Sequence, residues 1–338
     1  MTFYCGIDLH ANNSVVAVLD SDDRVHYEKR LANDLDVIVS ALSPYANEMA
    51  GVVVESTYNW YWLVDGLEDV DLEVHLANPS AICQYEGLKH SDDATDARHL
   101  ARLLRMGLLP EGHIYPREVR AIRDLLRRRM LLARQRTTQL LSLQSTIARH
   151  TGQRLSGSKI KRLDDEGIEA LLGTGPVALS AKVARGTMQV LDEAARALES
   201  AAAAELKDDE FPRLLRTIPG VGQTLGLTIA LETGDIGRFP DAGHYASYAR
   251  CVKSEKLSNG KVKGRGNRKN GNKYLAWAFI EAAHFAIRFE PKVSAYYQRK
   301  QARTHPMVAL KATAHKLARA SYHMLKKHRP FELKRAFG

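Results

Sequence analysis

Residues 258–275, with the sequence SNGKVKGRGNRKNGNKYL, form a segment that a folded chain cannot bury. Unpaired Lys and Arg side chains are almost never fully buried, so this segment must lie on the surface. Its glycines and asparagines let a backbone approach a phosphate closely, and its cations attract that phosphate. The pattern predicts a flexible loop that holds a polyanion. Because Ser258 stands at its head, a loop that delivers a nucleophile to a phosphate is the alternative. The basic residues of this region are Lys253, Lys256, Lys261, Lys263, Arg265, Arg268, Lys269 and Lys273.

Charge divides the chain into two parts. Residues 1–100 hold 5 Lys and Arg against 18 Asp and Glu, a net charge of −13, whereas residues 101–338 carry +23. This asymmetry indicates a nucleic-acid partner for the basic part. An acidic domain repels phosphate unless divalent cations neutralise it, so the acidic part is either a metal-binding domain or an acidic surface exposed to water.

The composition excludes several classes of protein. Cys5, Cys83 and Cys251 are odd in number and far apart, which argues against a disulfide framework or a zinc site and fits a reducing cytoplasm. The first residues lack the charge and the apolar run of a signal peptide, and no uncharged apolar stretch approaches about 18 residues. We therefore expect a cytoplasmic protein that does not bind membranes.

Short β-branched runs alternate with helical patterns in the first hundred residues. Three strands come first, and then helix and strand alternate, which predicts a mixed α/β domain. The predicted strands cover residues 3–8, 14–18, 24–29, 51–55 and 72–76, with helices at about 34–45, after 79 and at about 89–106.

Acidic residues stand at particular positions on this framework. Asp8 closes the first strand and Glu55 closes the fourth, where a half-buried carboxylate needs a positive partner. Asp93 and Asp96 are three residues apart and share one helix face. Asp92 and Asp93 alone are better explained as acids at a helix N-terminus. Taken with Asp8 and Glu55, however, Asp93 and Asp96 favour a Mg²⁺ site, because hard divalent cations take oxygen ligands.

The middle of the chain is helical. Residues 116–150 and 181–207 predict two long helices joined by a glycine-containing loop, as an antiparallel hairpin within one chain or as a coiled coil between two. Arg127, Arg128 and Arg129 are either a solvated face or a clamp on a nucleic-acid backbone.

The basic C-terminal part begins with two apolar helical stretches around Pro219-Gly220-Val221-Gly222. The glycines Gly220 and Gly222 fit a helix-hairpin-helix, in which backbone N–H groups meet a DNA phosphate, and they also fit a plain turn between core helices. Further helices are predicted at residues 274–289 and 309–327.

Two sets of motifs resemble a known family. GIDLH at residues 6–10, VVVEST at 52–57 and D-x-x-D-A at 93–97 are similar to the Asp-Glu-Asp-Asp tetrad of RuvC-like DNA recombinases. With the SNGKVKGRGNRKNGNKYLAWAF segment, they resemble the insertion-sequence family called 110, including its Piv-type invertase relatives, over nearly the whole chain. The resemblance implies an RNase H-like (RuvC-like) α/β domain at 1–112, a helical hairpin or coiled coil at 113–210, and a mostly α C-terminal transposase domain at 211–338.

The resemblance also implies roles for individual residues. Asp8, Glu55, Asp93 and Asp96 would bind Mg²⁺ or Mn²⁺, and Ser258 would be the nucleophile. Many relatives carry Ser-Ser-Gly or Ser-Thr-Gly where this chain has Leu-Ser-Asn-Gly, so Ser254 is the alternative nucleophile. The basic residues of the loop would hold the flanking phosphates.

The leading hypothesis is a site-specific DNA recombinase or transposase that forms a covalent serine–DNA intermediate. Because recombination joins four DNA ends, we expect a dimer of dimers. The resemblance to the insertion-sequence family alone implies that an RNA encoded by the element guides the enzyme. The alternatives are a metal-dependent Holliday-junction nuclease without a covalent intermediate, and a nucleic-acid-binding protein without catalytic activity.

Overall fold

A computed structural model of the chain describes residues 1–82, 93–252, 255–259, 261–265 and 270–338. These residues form two compact units. The first comprises Met1–Arg117 together with Lys256–Asn270, and the second comprises Glu118–Glu255 together with Gly271–Gly338.

The first unit contains a five-stranded sheet of order β3-β2-β1-β4-β5. Strands β1, β2 and β3 are antiparallel neighbours, whereas β4 runs parallel to β1 and β5 runs parallel to β4. The central strands β1 and β2 are buried along nearly their whole length, which explains their continuous apolar sequences. The strands are β1 (Phe3–Leu9), β2 (Asn13–Asp20), β3 (Val25–Ala32), β4 (Met49–Glu55) and β5 (Val74–Ala77).

Helices cover the sheet of the first unit. Ile38 of α1 (Leu35–Leu42) and Leu63 of α2 (Tyr61–Glu68) pack in one core with Ile7 of β1. Ala97 of α4 (Asp93–Arg105) packs with Val15 of β2 in a separate cluster. A short helix, α3 (Pro79–Ile82), follows β5. The predicted mixed α/β architecture of this region is confirmed.

The second unit is mostly helical, as predicted. Its two longest helices are α5 (Arg117–Thr151) and α8 (Pro176–Glu205). The remaining helices are α6 (Gly157–Arg162), α7 (Asp165–Leu172), α9 (Glu210–Leu215), α10 (Gln223–Thr233), α11 (Ala242–Tyr248), α12 (Lys273–Phe289), α13 (Pro291–Gln301), α14 (Pro306–Lys327) and α15 (Leu333–Phe337).

Helices α5 and α8 lie antiparallel within one chain. Arg129 of α5 pairs with Glu199 of α8. Arg136 pairs with Asp192, and both of these residues lie seven positions nearer to the connection between the helices. The structure supports the intramolecular hairpin, and a coiled coil between two chains stays a prediction.

The sequence predicted a loop between α5 and α8. The structure shows that this connection is partly helical. It contains α6 and α7, whose N-termini are capped by Ser156 and Asp164 side chains that accept hydrogen bonds from Lys159 N and Gly167 N. The glycines suggested an irregular segment, but these caps satisfy the first-turn amides and allow two short helices.

The basic segment also differs from the predicted loop. Its described part contains a two-stranded hairpin, β6 (Glu255–Ser258) and β7 (Lys261–Arg265). Asn259, at the turn, has a φ of 50°. Asn tolerates this left-handed conformation better than most residues, and an Asn-Gly pair between two strands is the typical sequence of a tight hairpin.

The remaining structural predictions concern cysteines and membranes. Cys5 and Cys251 are free and buried, and burial raises the pKa of the Cys251 thiol to about 12. Cys83 lies outside the described residues. No helix within the described ranges is both long and apolar enough to cross a bilayer.

Candidate active site

The carboxyl ends of β1 and β4 lie side by side at one edge of the sheet. The two strands are parallel, and Ile7 pairs with Val54. Asp8 and Glu55 each follow those paired residues, so the parallel register places them at neighbouring positions. Asp8 is buried, whereas Glu55 is half-buried at the end of its strand. Glu55 ends β4 as expected, whereas β1 extends one residue beyond Asp8 to Leu9, so the two acids stand near the ends of adjacent strands.

A close contact between a strand and a helix brings the third acid to this edge. A Cβ atom added to Gly6 would lie 2.0 Å from the carbonyl oxygen of Ala97 and 2.8 Å from the amide nitrogen of Ala101. Only glycine therefore lets α4 approach β1 this closely. The first turn of α4 carries Asp93 and Asp96, so Gly6 sets their distance from the strand end.

Asp8, His10 and Asp93 form a cluster of possible metal ligands. One ligand atom from each of the three lies within 4.8 Å of the other two. The Nε2 atom of His10 is 3.2 Å from Oδ2 of Asp8 and 3.4 Å from Oδ2 of Asp93. This nitrogen is shielded from solvent yet forms no well-aligned hydrogen bond. Two carboxylates and an imidazole that converge in this way can coordinate a divalent cation.

His10 was missed by the sequence analysis as a site residue. A signal was present in the GIDLH motif, because side chains two residues apart on an extended chain point to the same face. Asp8 and His10 have this spacing, and His10 follows directly after β1.

Arg30 balances part of the negative charge of the cluster. Its guanidinium donates a hydrogen bond to Oδ2 of Asp93. This hydrogen bond, assisted by the nearby His10, lowers the pKa of Asp93 below its usual value. Asp93 is therefore ionised at neutral pH, which is the form that binds a cation.

Two asparagines hold the backbone of the site. The side-chain amides of Asn33 and Asn59 both donate to the carbonyl oxygen of His10, at 2.9 and 3.1 Å. Ser14 donates to Asn33, and Thr57 donates to Asn59. Because Thr57 and Asn59 lie just after β4, these bonds connect the segment after Glu55 to the segment after Asp8.

Glu55 and Asp96 are placed near the cluster but are not members of it. The three-residue group within 4.8 Å contains neither of them. Asp96 is half-buried one helical turn beyond Asp93. The structure thus brings two of the four predicted acids together and leaves the other two at adjacent positions on β4 and α4.

Ser258 ends β6, directly before the left-handed Asn259. The hairpin segment Lys256–Asn270 belongs to the same compact unit as Met1–Arg117, which carries the acids. Lys261 and Lys263 are exposed on β7. Lys256 and Arg265 lie in the two strands. Lys253, Ser254, Arg268 and Lys269 lie outside the described residues.

Gly271 and Asn272, near the end of the basic segment, are anchored by close packing and by hydrogen bonds. Gly271 has a φ of 79°, and a Cβ atom there would lie 2.5 Å from the carbonyl oxygen of Tyr248. Asn272 caps α12 and donates to Oε2 of the buried Glu232 at 2.7 Å. Lys273, the first residue of α12, is exposed. The Gly271-Asn272 pair therefore has a structural role that the sequence analysis did not assign.

Glu232 also contacts part of the arginine run on α5. It accepts hydrogen bonds from Arg123 Nε at 3.0 Å and from Arg127 Nε at 2.6 Å. Arg129 pairs with Glu199 at 3.1 Å, and Arg128 is exposed. The run is not a wholly solvated face, because Arg127 and Arg129 are held by glutamates of the same unit, and a clamp on nucleic acid stays a prediction.

The two glycines of the turn before α10 differ in their surroundings. Gly220 has a φ of 87°, and a Cβ atom there would lie 2.5 Å from both Ala282 O and Ala286 N of α12. Packing against α12 is thus sufficient to require glycine. Gly222 precedes α10 and has open space around it. Both border a pocket of about 650 Å³. Contact of either glycine with DNA stays a prediction.

Comparison with known families accounts for both sets of motifs. A family model described as a transposase, of the DEDD type from IS110 elements, matches residues 5–152. A second model, described as the transposase IS116/IS110/IS902 family, matches residues 212–298. The chain belongs to the IS110 family of transposases. The first match contains the strand ends, α4 and α5, and the second contains the turn at Gly220 and the basic hairpin.

A curated relative agrees with this membership. The chain is 28% identical over 182 residues to the insertion element IS110 uncharacterized 43.6 kDa protein of Streptomyces coelicolor. The similarity spans 53% of this chain and 45% of that relative, so the chain covers less than half of its length.

Proposed function

We propose that this IS110-family chain is a site-specific DNA recombinase that cuts and rejoins DNA to move or invert a segment. The observation that supports this most is the convergence of Asp8, His10 and Asp93 at the edge of the sheet. Three antiparallel strands followed by two parallel ones, with acids at two neighbouring strand ends, also support an RNase H-like (RuvC-like) domain at residues 1–112. Residues 113–210 and 211–338 would be the helical hairpin and the transposase domain.

The donor atoms of the cluster fit a divalent metal ion. Carboxylate oxygens suit Mg²⁺ and Mn²⁺, and the shielded Nε2 of His10 adds a nitrogen donor. Asp8 and Asp93 would hold the ion, with Glu55 and Asp96 completing its environment from β4 and α4. A bound ion would orient the scissile phosphate and take up charge on its oxygens.

In the proposed reaction, Oγ of Ser258 attacks the phosphorus of a phosphodiester. A bond forms between Oγ and phosphorus, the bond from phosphorus to one deoxyribose oxygen breaks, and the serine proton ends on that leaving oxygen. The phosphoserine link preserves the energy of the broken bond, so that a second deoxyribose hydroxyl can rejoin the strand without ATP.

The positive charges of the second half would hold the DNA. The exposed Lys261 and Lys263 support this role, because each phosphate contact adds affinity through release of counterions. The other residues that we propose to contact DNA are Lys253, Lys256, Arg265, Arg268, Lys269, Lys273, Gly220 and Gly222. A dimer of dimers would bring four DNA ends together, and an RNA encoded by the element would act as a guide.

A metal-dependent nuclease is the second candidate function, because the acid cluster alone could support attack by water. A suicide substrate that prevents rejoining separates the two. Wild type, Ser258→Ala and Ser254→Ala would be incubated with this DNA and Mg²⁺ or Mn²⁺, denatured, and analysed for protein–DNA adducts by mass spectrometry. We expect an adduct at Ser258 that is absent from Ser258→Ala and from wild type in EDTA.

The control is Ser254→Ala, which should form as much adduct as wild type. An adduct at Ser254 would keep the mechanism and change the nucleophile. Cleavage without an adduct, undiminished in Ser258→Ala, would establish the nuclease instead. A protein that binds DNA but neither cleaves nor forms an adduct would contradict both candidates.

A further inference from the structure

A pocket of about 340 Å³ lies between α14 and the C-terminal tail. It forms because α14 ends at His328, which has a left-handed backbone with a φ of 50°. Pro330 follows, and the tail turns back so that α15 lies beside α14. The pocket belongs wholly to the second unit and shares no residue with the carboxylate cluster. Its volume is that of a small-ligand site, for which roughly 300–1,000 Å³ is typical.

Six basic side chains line this pocket. Four of them follow one face of α14 at helical spacing, and two come from the returning tail. They are Lys316, Arg319, His323, Lys327, Arg329 and Arg335.

Most of this charge is not compensated by acids. Glu332 is the acid of the lining, and its carboxylate is 3.8 Å from Arg335. In the part of the chain that the structure describes, no carboxylate forms an ion pair with Arg319, Lys327 or Arg329. By contrast, the α5 arginines that contact Glu232 and Glu199 are paired. The pocket is therefore a site of positive potential that can attract an anion.

His323 adds little charge to that potential at neutral pH, whereas Lys316 adds a charge that is held in place. Burial, together with the charges of Lys327, Arg319 and Arg335, lowers the pKa of His323. Lys316 is held in place, because its Nζ donates to the carbonyl oxygen of Ala336 at 2.7 Å and lies 4.6 Å from the ring centre of Tyr296. These two contacts therefore hold one positive charge, that of Lys316, in the wall of the pocket.

The lining between these charges is apolar. Met324, which is largely buried, lines the pocket, and Ala320, Phe331 and Pro330 contribute further apolar surface. An inorganic anion would need only the charges, whereas a base attached to a phosphate would use both kinds of surface. A paired and stacked base in a duplex cannot enter such a pocket unless it is extruded.

We propose that this pocket binds an unpaired nucleotide of a single-stranded nucleic acid, with its base on Met324 and Phe331 and its phosphate on Arg319 and Lys327. The proposal is independent of the carboxylate and serine chemistry. Asp8→Asn, which would block that chemistry, should leave this binding unchanged, so the failure of one proposal is distinguishable from the failure of the other.

The test uses the full chain and fluorescence anisotropy with labelled single-stranded DNA and RNA. The pocket variant is Arg319→Gln with Lys327→Gln. Its matched control is Lys311→Gln with Lys326→Gln, which removes two exposed charges from the same helix outside the pocket lining. At physiological salt we expect a loss of about tenfold for the pocket variant and less than about twofold for the control. Each lost single-strand phosphate contact should also flatten the salt dependence by about 0.7 in log–log slope.

A second variant tests the cavity instead of the charge. Ala320→Leu narrows the pocket without changing any charge, and Leu is a good helix former. We expect it to weaken single-strand binding and to abolish competition by a nucleoside monophosphate, while duplex binding and the melting temperature stay unchanged. Equal losses in the two double variants, an unaffected Ala320→Leu, or equal competition by an acidic peptide would each overturn the proposal.

Discussion

Each unit of this protein buries a carboxylate, but the two carboxylates have different partners. Glu232, in the helical unit, accepts hydrogen bonds from Arg123, Arg127 and Asn272 at 2.6–3.0 Å. Asp8, in the sheet unit, faces His10 at 3.2 Å and the second carboxylate, Asp93. The side chains are almost equally buried, with 3% and 5% of their surface exposed.

The difference teaches how to separate structural from functional acids in one chain. A buried charge is expensive unless it is paired and hydrogen-bonded, and Glu232 satisfies this requirement within its own unit. Burial raises the pKa of Glu232, but the hydrogen bond from Arg127 and the charges of Arg123 and Arg127 outweigh burial, so that the pKa is lowered. The carboxylates of Asp8 and Asp93 can still coordinate a metal ion, because His10 and Arg30 do not occupy all of their oxygen lone pairs.

The largest effect should follow from removing a charge at the sheet edge. Asp8→Asn or Glu55→Gln should reduce strand exchange by at least about a hundredfold, since metal stabilisation of a transition state contributes several kcal/mol. DNA binding should change little, because a carboxylate does not contribute to phosphate affinity. Recombination in Mg²⁺ and filter binding of the same purified proteins would measure both.

The control for that experiment is Asp20→Asn. Asp20 is another buried acid of the sheet, but its oxygens accept from the backbone amides of Asp22 and Arg24 and contact His26. This variant should lose stability yet recombine at a permissive temperature. Full recombination by Asp8→Asn would contradict the assignment of a metal site.

The helical unit should respond in the opposite way. Glu232→Gln leaves Arg123 and Arg127 without their buried countercharge, so the free energy of unfolding should fall by about 3–5 kcal/mol. Glu199→Gln, which breaks the half-buried pair with Arg129, is the matched control and should cost less. Urea unfolding followed by circular dichroism would measure both, and equal losses would mean that Glu232 is not the stronger anchor.

The pH dependence sharpens the same comparison. A carboxyl group whose pKa is lowered in the folded state contributes stability that is present above its unfolded pKa, about 4.3 for Glu, and is lost as pH falls through the folded pKa. Wild type should therefore lose stability in acid below about pH 4. Glu232→Gln should lose less over that range, and an identical acid profile for the two would contradict the network.

The smallest predicted effect concerns the asparagine pair at the sheet edge. Asn59→Ala removes one of the two amides that hold the His10 carbonyl, and loss of such a supporting bond typically lowers metal affinity by about 10–100-fold. Mn²⁺ binding measured by electron paramagnetic resonance would test this, with the exposed Asn47→Ala as control. Unchanged Mn²⁺ affinity in both Asn59→Ala and Asn33→Ala would mean that the clamp does not position the metal ligands.

Much of the architecture could be predicted from local patterns. Alternation and β-branched runs predicted the five strands, and Asp8 and Glu55 were recognised because each follows such a run directly. The long helices α5, α8, α12 and α14 were predicted for the same reason, since periodicity is a property of neighbouring residues, whereas the shorter α6, α7, α11, α13 and α15 were not predicted. The hairpin was missed because β6 and β7 are only four and five residues long and are rich in Glu, Lys and Gly, which are depleted in strands.

The sequence by itself therefore indicated that acids stand near the ends of two strands, where the basic charge lies, and that the chain combines a sheet with a helical region. Only the tertiary structure decided which side chains meet. His10 lies beside Asp8 and Asp93 because Gly6 lets α4 pack closely against β1. Arg127 forms an ion pair with Glu232 because that carboxylate is buried next to it. His10 and Asp93 are 83 positions apart in the chain, and Arg127 and Glu232 are 105 apart. Local propensity carries no information about these pairings, because they depend on packing and on the compensation of buried charge.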